Sequence, residues 1–143
     1  GVDGFFLDNT DVYYLYPTSE IYDGLVSILS MLNTYHKDIL INGGDVFVSK
    51  AILEADEPQI EITGVNQECV FTSIDFTDNA LVLQDAQTSQ YYQDYLAACK
   101  VKGLAVYLLE YANDGDAIET EIRTYCNRNG FQYYRSRSID LVG

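Results

Sequence analysis

The chain has 143 residues, 8 Lys+Arg against 22 Asp+Glu, and a formal charge of −14 with its one His neutral. A field of that sign repels polyanions, so it excludes a nucleic-acid binder that works by phosphate neutralisation and disfavours adhesion to an anionic membrane face. Hydrophobic residues make up 48% and charged residues 21%, a globular composition on the scale of one domain, with no apolar run near the roughly 18 residues needed to span a bilayer.

There are 13 Tyr and no Trp, so the aromatic surface is built from rings with a polar tip. The chain opens on Gly1 rather than Met, and no signal segment is visible. Cys69, Cys99 and Cys126 form no C-x-x-C pair, and the lone His36 cannot complete a Cys/His metal set. The thiols read as buried small hydrophobes. Neither a metal nor a cofactor is expected.

One pattern is told several times along the chain: apolar run, polar residue at its end, loop, amphipathic helix, glycine, next run. The first run is Phe5-Phe6-Leu7, closed by Asp8-Asn9. A loop rich in Tyr and Asp follows, and Pro17-Thr18-Ser19 reads as a helix start. From Glu20 the positions Ile21, Leu25, Ile28, Leu32 and Tyr35 recur at helical spacing and predict one buried face. Glu20 and Asp23 then fall in the first turn, and His36 and Lys37 at the end, both favourable to the helix dipole.

The second run, Ile39-Leu40-Ile41, is closed by Asn42-Gly43-Gly44, with a short helix expected over Val46 to Leu53. Beyond Pro58 a third, weaker run covers Ile60 to Val65 and leads to Asn66-Gln67-Glu68. Cys69 to Gln87 reads as a long loop with a short helix near Asn79 to Leu83. A clearer helix runs from Ser89 to Lys102, placing Tyr92, Tyr95, Cys99 and Lys102 on adjacent turns, and Gly103 follows as a left-handed cap. The fourth run, Leu104 to Leu109, is closed by Glu110-Tyr111. A last helix over Asp114 to Asn129 buries Ile118, Ile122 and Tyr125, and Gly130 caps it before the fifth run, Phe131 to Tyr134, closed by Arg135-Ser136.

Strands apolar on both faces that alternate with helices require a parallel sheet covered by helices, an α/β fold. Gly1 occupies the same slot as Gly103 and Gly130, the glycine between a helix and a strand. The chain therefore reads as the later part of a larger α/β fold.

Ligands of parallel α/β folds bind at the carboxyl ends of the strands. Here those ends carry Asp8, Asn9, Asn42, Glu68, Glu110, Tyr111 and Arg135. Carboxylates from three strands suit work on a glycosidic bond, and they would also suit a divalent metal. Asp8 is followed by polar Asn9, Thr10 and Asp11, whereas Glu68 is followed by Cys69, Val70 and Phe71. A glycosidase needs two carboxyls in unlike settings, one as nucleophile and one as proton donor.

Blander readings stand beside these. Asp8-Asn9 would also serve to turn the chain or cap a helix, Asn42-Gly43-Gly44 as a tight turn, and Glu68 as a solvated loop residue. Glu110 would also suit a structural pair with Arg123 or Arg135. Tyr13, Tyr14 and Tyr16 would line a sugar site or simply pack their own loop.

The segment Gly1 to Asp11 (GVDGFFLDNTD) resembles the G-[FY]-D-G-[IVF]-F-L-D-x-x-D segment of the endo-α-1,4-polygalactosaminidase-like glycoside hydrolases. Ile39 to Asn42, Asn66-Gln67-Glu68 and Leu108-Leu109-Glu110-Tyr111 resemble that family's later strands in order. The resemblance covers nearly all of this chain but only the C-terminal half of the family's TIM barrel. It implies parallel (β/α) units forming the C-terminal half of a TIM barrel, about five strands with helices outside, with residues 1–143 as a single partial domain.

For function the resemblance implies a retaining glycosidase, with Asp8 as nucleophile and Glu68 as acid/base. Asn9, Asp11, Asn42, Glu110 and Tyr111 fall to substrate binding. The implied substrate is an α-linked galactosamine polymer, a polycationic amino sugar, met outside the cell or at its surface. Carboxyls of a retaining pair should lie roughly 5–5.5 Å apart.

The family's early strands have no counterpart here. Five strands cannot close a barrel that needs eight, and open edges invite pairing. The expected partners are therefore the polysaccharide and either an N-terminal half or a second copy joined through the sheet edges. No nucleic acid and no membrane insertion are expected. A non-catalytic half-barrel that binds carbohydrate or protein is the competing reading. A nucleotide-binding domain is weaker, because neither G-x-x-x-x-G-K-[ST] nor G-x-G-x-x-G is present.

Overall fold

Gly4–Leu7 forms the first strand, β1, in a computed structural model that describes residues 1–139. The chain divides into two units, Gly1–Asn66 with Ala98–Ala105, and Gln67–Ala97 with Val106 onward. Five of its strands make one sheet, and the remaining two make a separate ribbon.

In the first unit, β1 pairs in parallel with β2 (Asp38–Asn42), from Gly4 opposite Asp38 to Leu7 opposite Ile41. Between them run a one-turn helix, α1 (Val12–Leu15), where a loop was expected, and α2 (Ser19–Asn33). The start of α2 is the expected one. Thr18 is extended, and its hydroxyl oxygen accepts the Ile21 N–H at 3.3 Å.

The end of α2 differs from expectation. Thr34 closes the helix and His36 sits at φ +52°, so His36 and Lys37 lie beyond it. The buried stripe is also turned from the expected one. Leu29 is fully buried, Ile21, Leu25 and Leu32 are half-buried, and Ile28 and Tyr35 are exposed. Positions 21, 25, 29 and 32 share a face at 3.6 residues per turn as well as the expected set does, and the apolar residue at 29 completes it.

After β2 the backbone turns left-handed at Gly43 (φ +64°) and Gly44 (φ +66°) into α3 (Asp45–Val48), which continues as a π-helical turn over Ser49–Leu53. Gly44 has to be glycine on two counts, its positive φ and the overlap a Cβ would make with the Thr10 side chain. Phe47 packs against Tyr13 and Tyr22 with ring centroids 6.2 and 5.6 Å away. The Lys50 ammonium donates to the Tyr13 hydroxyl at 2.8 Å and stands 4.4 Å from the Tyr22 ring centre. Tyr13 thus packs its own loop, while Tyr14 and Tyr16 are exposed.

The third strand, β3, is Gly64–Glu68 rather than Ile60 to Val65. Ile60 is buried, but pairing begins only where Leu40 meets Gly64 and ends with Asn42 opposite Asn66. Gly64 opens the strand because a side chain there would run into the backbone of Ala105.

In the second unit the segment expected to be a loop with a short helix is a hairpin, β4 (Thr72–Asp75) and β5 (Ala80–Leu83), paired antiparallel. Its turn rests on Asp75, whose Oδ1 accepts the Thr77 N–H at 2.8 Å, and on Asn79 at φ +51°. That chemistry closes a ribbon instead of opening a helix.

Helix α4 (Ala86–Val101) precedes β6 (Ala105–Tyr111), with Gly103 at φ +88° between them. Helix α5 (Ala117–Asn129) buries Ile122 and Cys126, is capped by Gly130 at φ +73°, and leads to β7 (Gln132–Ser136). The sheet order is β1-β2-β3-β6-β7, and β6 and β7 pair in parallel. This is the expected α/β half-barrel of parallel units, with β1 and β7 outermost. Phe6 on β1 is 60% exposed, as an edge strand permits. Among the described residues no helix is long and apolar enough to cross a membrane.

Candidate active site

The first unit brings Asp8, Asn9 and Asn42 together. Leu7 stands opposite Ile41, so Asp8 falls level with Asn42, and Asn42 in turn is level with Asn66. A row of three polar side chains therefore crosses the ends of β1, β2 and β3. Asp8 Oδ1 accepts the Asn9 N–H at 2.9 Å and the Asn42 side-chain amide at 3.0 Å. The Asn66 amide donates to Asn42 Oδ1 at 2.7 Å. Asp8 Oδ2 has no hydrogen bond among the described residues, so one oxygen anchors the carboxylate and the other is free.

Asp11 is near but differently engaged. Its Oδ1 accepts the Gly44 N–H at 2.8 Å, which ties the loop after β1 to the turn after β2. Asn9 is exposed and left-handed at φ +61°.

The second unit brings Glu68 and Tyr111 together, with the tyrosine hydroxyl donating to Glu68 Oε2 at 2.8 Å. Burial raises the Tyr111 hydroxyl above its ordinary range, and the Glu68 carboxylate adds to the effect, so the phenol stays a proton-bearing donor. A cavity of about 560 Å³ lies beside it, lined among others by Thr72, Leu81, Leu83, Asp116 and Glu121.

Glu110 is placed otherwise than expected. It lies within β6, is fully buried, and presents its carboxylate to backbone rather than to an open site. Oε1 accepts the Val70 and Phe71 N–H groups at 2.9 and 3.1 Å. Oε2 accepts the Thr72 N–H at 3.0 Å and the Thr72 hydroxyl at 2.6 Å. The Thr72 hydroxyl oxygen in turn accepts the Tyr111 N–H at 2.9 Å. Burial pushes the Glu110 carboxyl up to about 7, against the pull of these donors.

Nor does Arg135 pair with Glu110. It bonds Asp114 at 2.8 Å and approaches Glu119 at 3.6 Å, and it donates to the Ala112 carbonyl.

A shared local device sits behind the leading residues. Asp8, Asn42 and Glu68 are each followed by a left-handed residue, namely Asn9, Gly43 and Cys69 (φ +58°). The chain leaves each strand abruptly there. Burial, with the negative charges of Glu110 and Glu68, pushes the Cys69 thiol up to about 12, so it is inert.

Sequence reading missed Asn66 and Thr72 as members of these clusters. Asn66 had a signal, since it lies two residues before Glu68 and so on the same strand face. Thr72 had none.

No family model matches the sequence, and no curated protein matches it. Solved structures do. The glycoside hydrolase domain of PelA from Pseudomonas aeruginosa superposes with a TM-score of 0.74 at 18% identity, over 99% of this chain and 55% of that one. A Glu-to-Ala variant of that domain gives 0.73 at 17% identity with the same coverage. This chain thus has the fold of part of a glycoside hydrolase domain and spans about half of that domain's length.

Proposed function

We propose that this chain carries the catalytic carboxylates of a retaining glycoside hydrolase that cuts within α-1,4-linked galactosamine-type polysaccharide, outside the cell or at its surface. The observation that carries this reading is the superposition of nearly the whole chain on a glycoside hydrolase domain, with an acidic residue at the end of β1 and another at the end of β3.

In this reading Asp8 is the nucleophile. Its free Oδ2 attacks the anomeric carbon while Oδ1 stays held by Asn9 and Asn42. Glu68, oriented by the Tyr111 hydroxyl, gives a proton to the departing glycosidic oxygen. The bond from that carbon to oxygen breaks as the bond to Asp8 forms. Water then replaces Asp8, and Glu68 takes the proton back. The chemistry needs no metal or cofactor. The remaining barrel wall would come from an N-terminal half or from a second copy.

The test is turnover of α-1,4-linked galactosamine oligomers by the gene product that carries this chain, followed by proton NMR during the first minutes. Oligomers of several lengths should appear, and their new reducing ends should first show the α configuration. Initial β product would remove the double displacement, and no release of reducing ends would remove the hydrolase.

A further inference from the structure

We infer that Asn66 is a positioning residue that acts on Asp8 through Asn42, so that three strand ends form one directed hydrogen-bond chain. The inference rests on Asp8 being the nucleophile and adds what sets its orientation.

The direction of the chain follows from chemistry. An ionised carboxylate only accepts, so Asn42 must turn its NH2 group toward Asp8. Its carbonyl then faces away, toward β3, and needs a donor there. Asn66 provides that donor at 2.7 Å, the shortest link in the row. Parallel register makes the arrangement possible, since Asn42 and Asn66 are direct partners and Asp8 comes one residue after the Leu7–Ile41 pair. Asn66 is itself steadied because its main-chain carbonyl accepts the Gly43 N–H at 2.9 Å.

With the donor in place, Asn42 has one orientation and Asp8 Oδ1 keeps two donors. Without it, the bond that draws the Asn42 carbonyl toward β3 is lost, and the hold of Asn42 on Asp8 Oδ1 loosens. The oxygen meant to attack then loses its fixed direction. Attack on an anomeric carbon depends on direction, so the loss should fall on turnover rather than on substrate affinity.

Two variants separate this from a packing role. Asn66→Ala removes the donor, and Asn66→Asp keeps the shape but presents an acceptor to Asn42. The relay predicts about a tenfold fall in kcat for Asn66→Ala with KM within twofold, and a larger fall, about a hundredfold, for the isosteric Asn66→Asp. In an Asn42→Ala background the effect of Asn66→Ala should vanish, because residues in one network are not additive. A packing role predicts the reverse ranking, with Asn66→Asp the milder change.

A second readout does not depend on hydrolysis. The side-chain NH2 protons of Asn42, followed by nitrogen-15 NMR, should exchange faster with water in both variants than in the parent chain. Unchanged Asn42 exchange, or additive losses in the double variant, would overturn the relay. Altered exchange in a parent protein that cuts no glycoside would instead overturn the hydrolase reading while leaving the hydrogen-bond row in place.

Discussion

Replacing Asp8 with Asn should lower hydrolysis of galactosamine oligomers by about 10⁴-fold or more, while binding of the same oligomers stays within a few-fold of the parent. The side chain keeps its shape. An amide oxygen at that position can still accept from Asn9 and from Asn42, so the row of hydrogen bonds and the fold survive. What disappears is the negative charge and the nucleophilic oxygen.

Glu68→Gln should cost less, about 10²- to 10⁴-fold, because it removes proton transfer rather than bond formation. The Glu68 loss should also depend on the leaving group. An aryl glycoside that departs without a proton should recover most of the first step, whereas the Asp8 variant should gain nothing. Calorimetry on both variants separates the two main readings. Binding retained with turnover lost supports the hydrolase, and a parent protein that binds oligomers but never turns them over supports the non-catalytic module.

The second large effect is on stability, at Glu110. Three backbone N–H groups and one hydroxyl converge on its carboxylate. Glu110→Ala removes both acceptor oxygens and leaves those donors buried without their partner. A buried network broken in this way should cost about 3–5 kcal/mol, read as a fall of roughly 10 °C in the melting temperature.

The same residue makes stability depend on pH. Its carboxyl is raised to about 7 in the folded chain from 4.5. The folded state therefore binds the proton more tightly, and Glu110 adds stability below the lower value that is lost as pH rises toward the upper one. The full span is about 3 kcal/mol. Urea titrations at pH 5 and pH 8 should show that loss in the parent and not in Glu110→Gln. Equal pH dependence in the two proteins would show that Glu110 does not carry it.

Much of this architecture was legible because it repeats. Ile39 to Ile41 and Leu104 to Leu109 are apolar on successive residues, which only a strand covered on both faces tolerates. Gly103 and Gly130 mark helix ends because a left-handed residue is needed there. The hairpin was not legible, since Ile74 and Leu81 to Leu83 make a short apolar pattern that periodicity alone cannot divide between helix and strand. Asp75 and Asn79 settle it through a turn that only the folded backbone displays. At Glu110 the apolar pattern ends at the acid, but β6 continues through it, because backbone N–H groups some 40 residues earlier in the chain donate to its buried carboxylate. Asp8 and Asn42 were legible as strand ends. Asn66 was hidden by being one polar residue among three.

The left-handed residues behind Asp8 and Glu68 carry a price in heat tolerance. Neither Asn9 nor Cys69 is glycine, and a side chain costs about a kilocalorie per mole in that conformation. Random mutagenesis screened for survival at high temperature would be drawn to glycine at both posts. Lines improved that way would gain endurance at the turns directly behind the two acids, so endurance and catalytic vigour would pull in opposite directions.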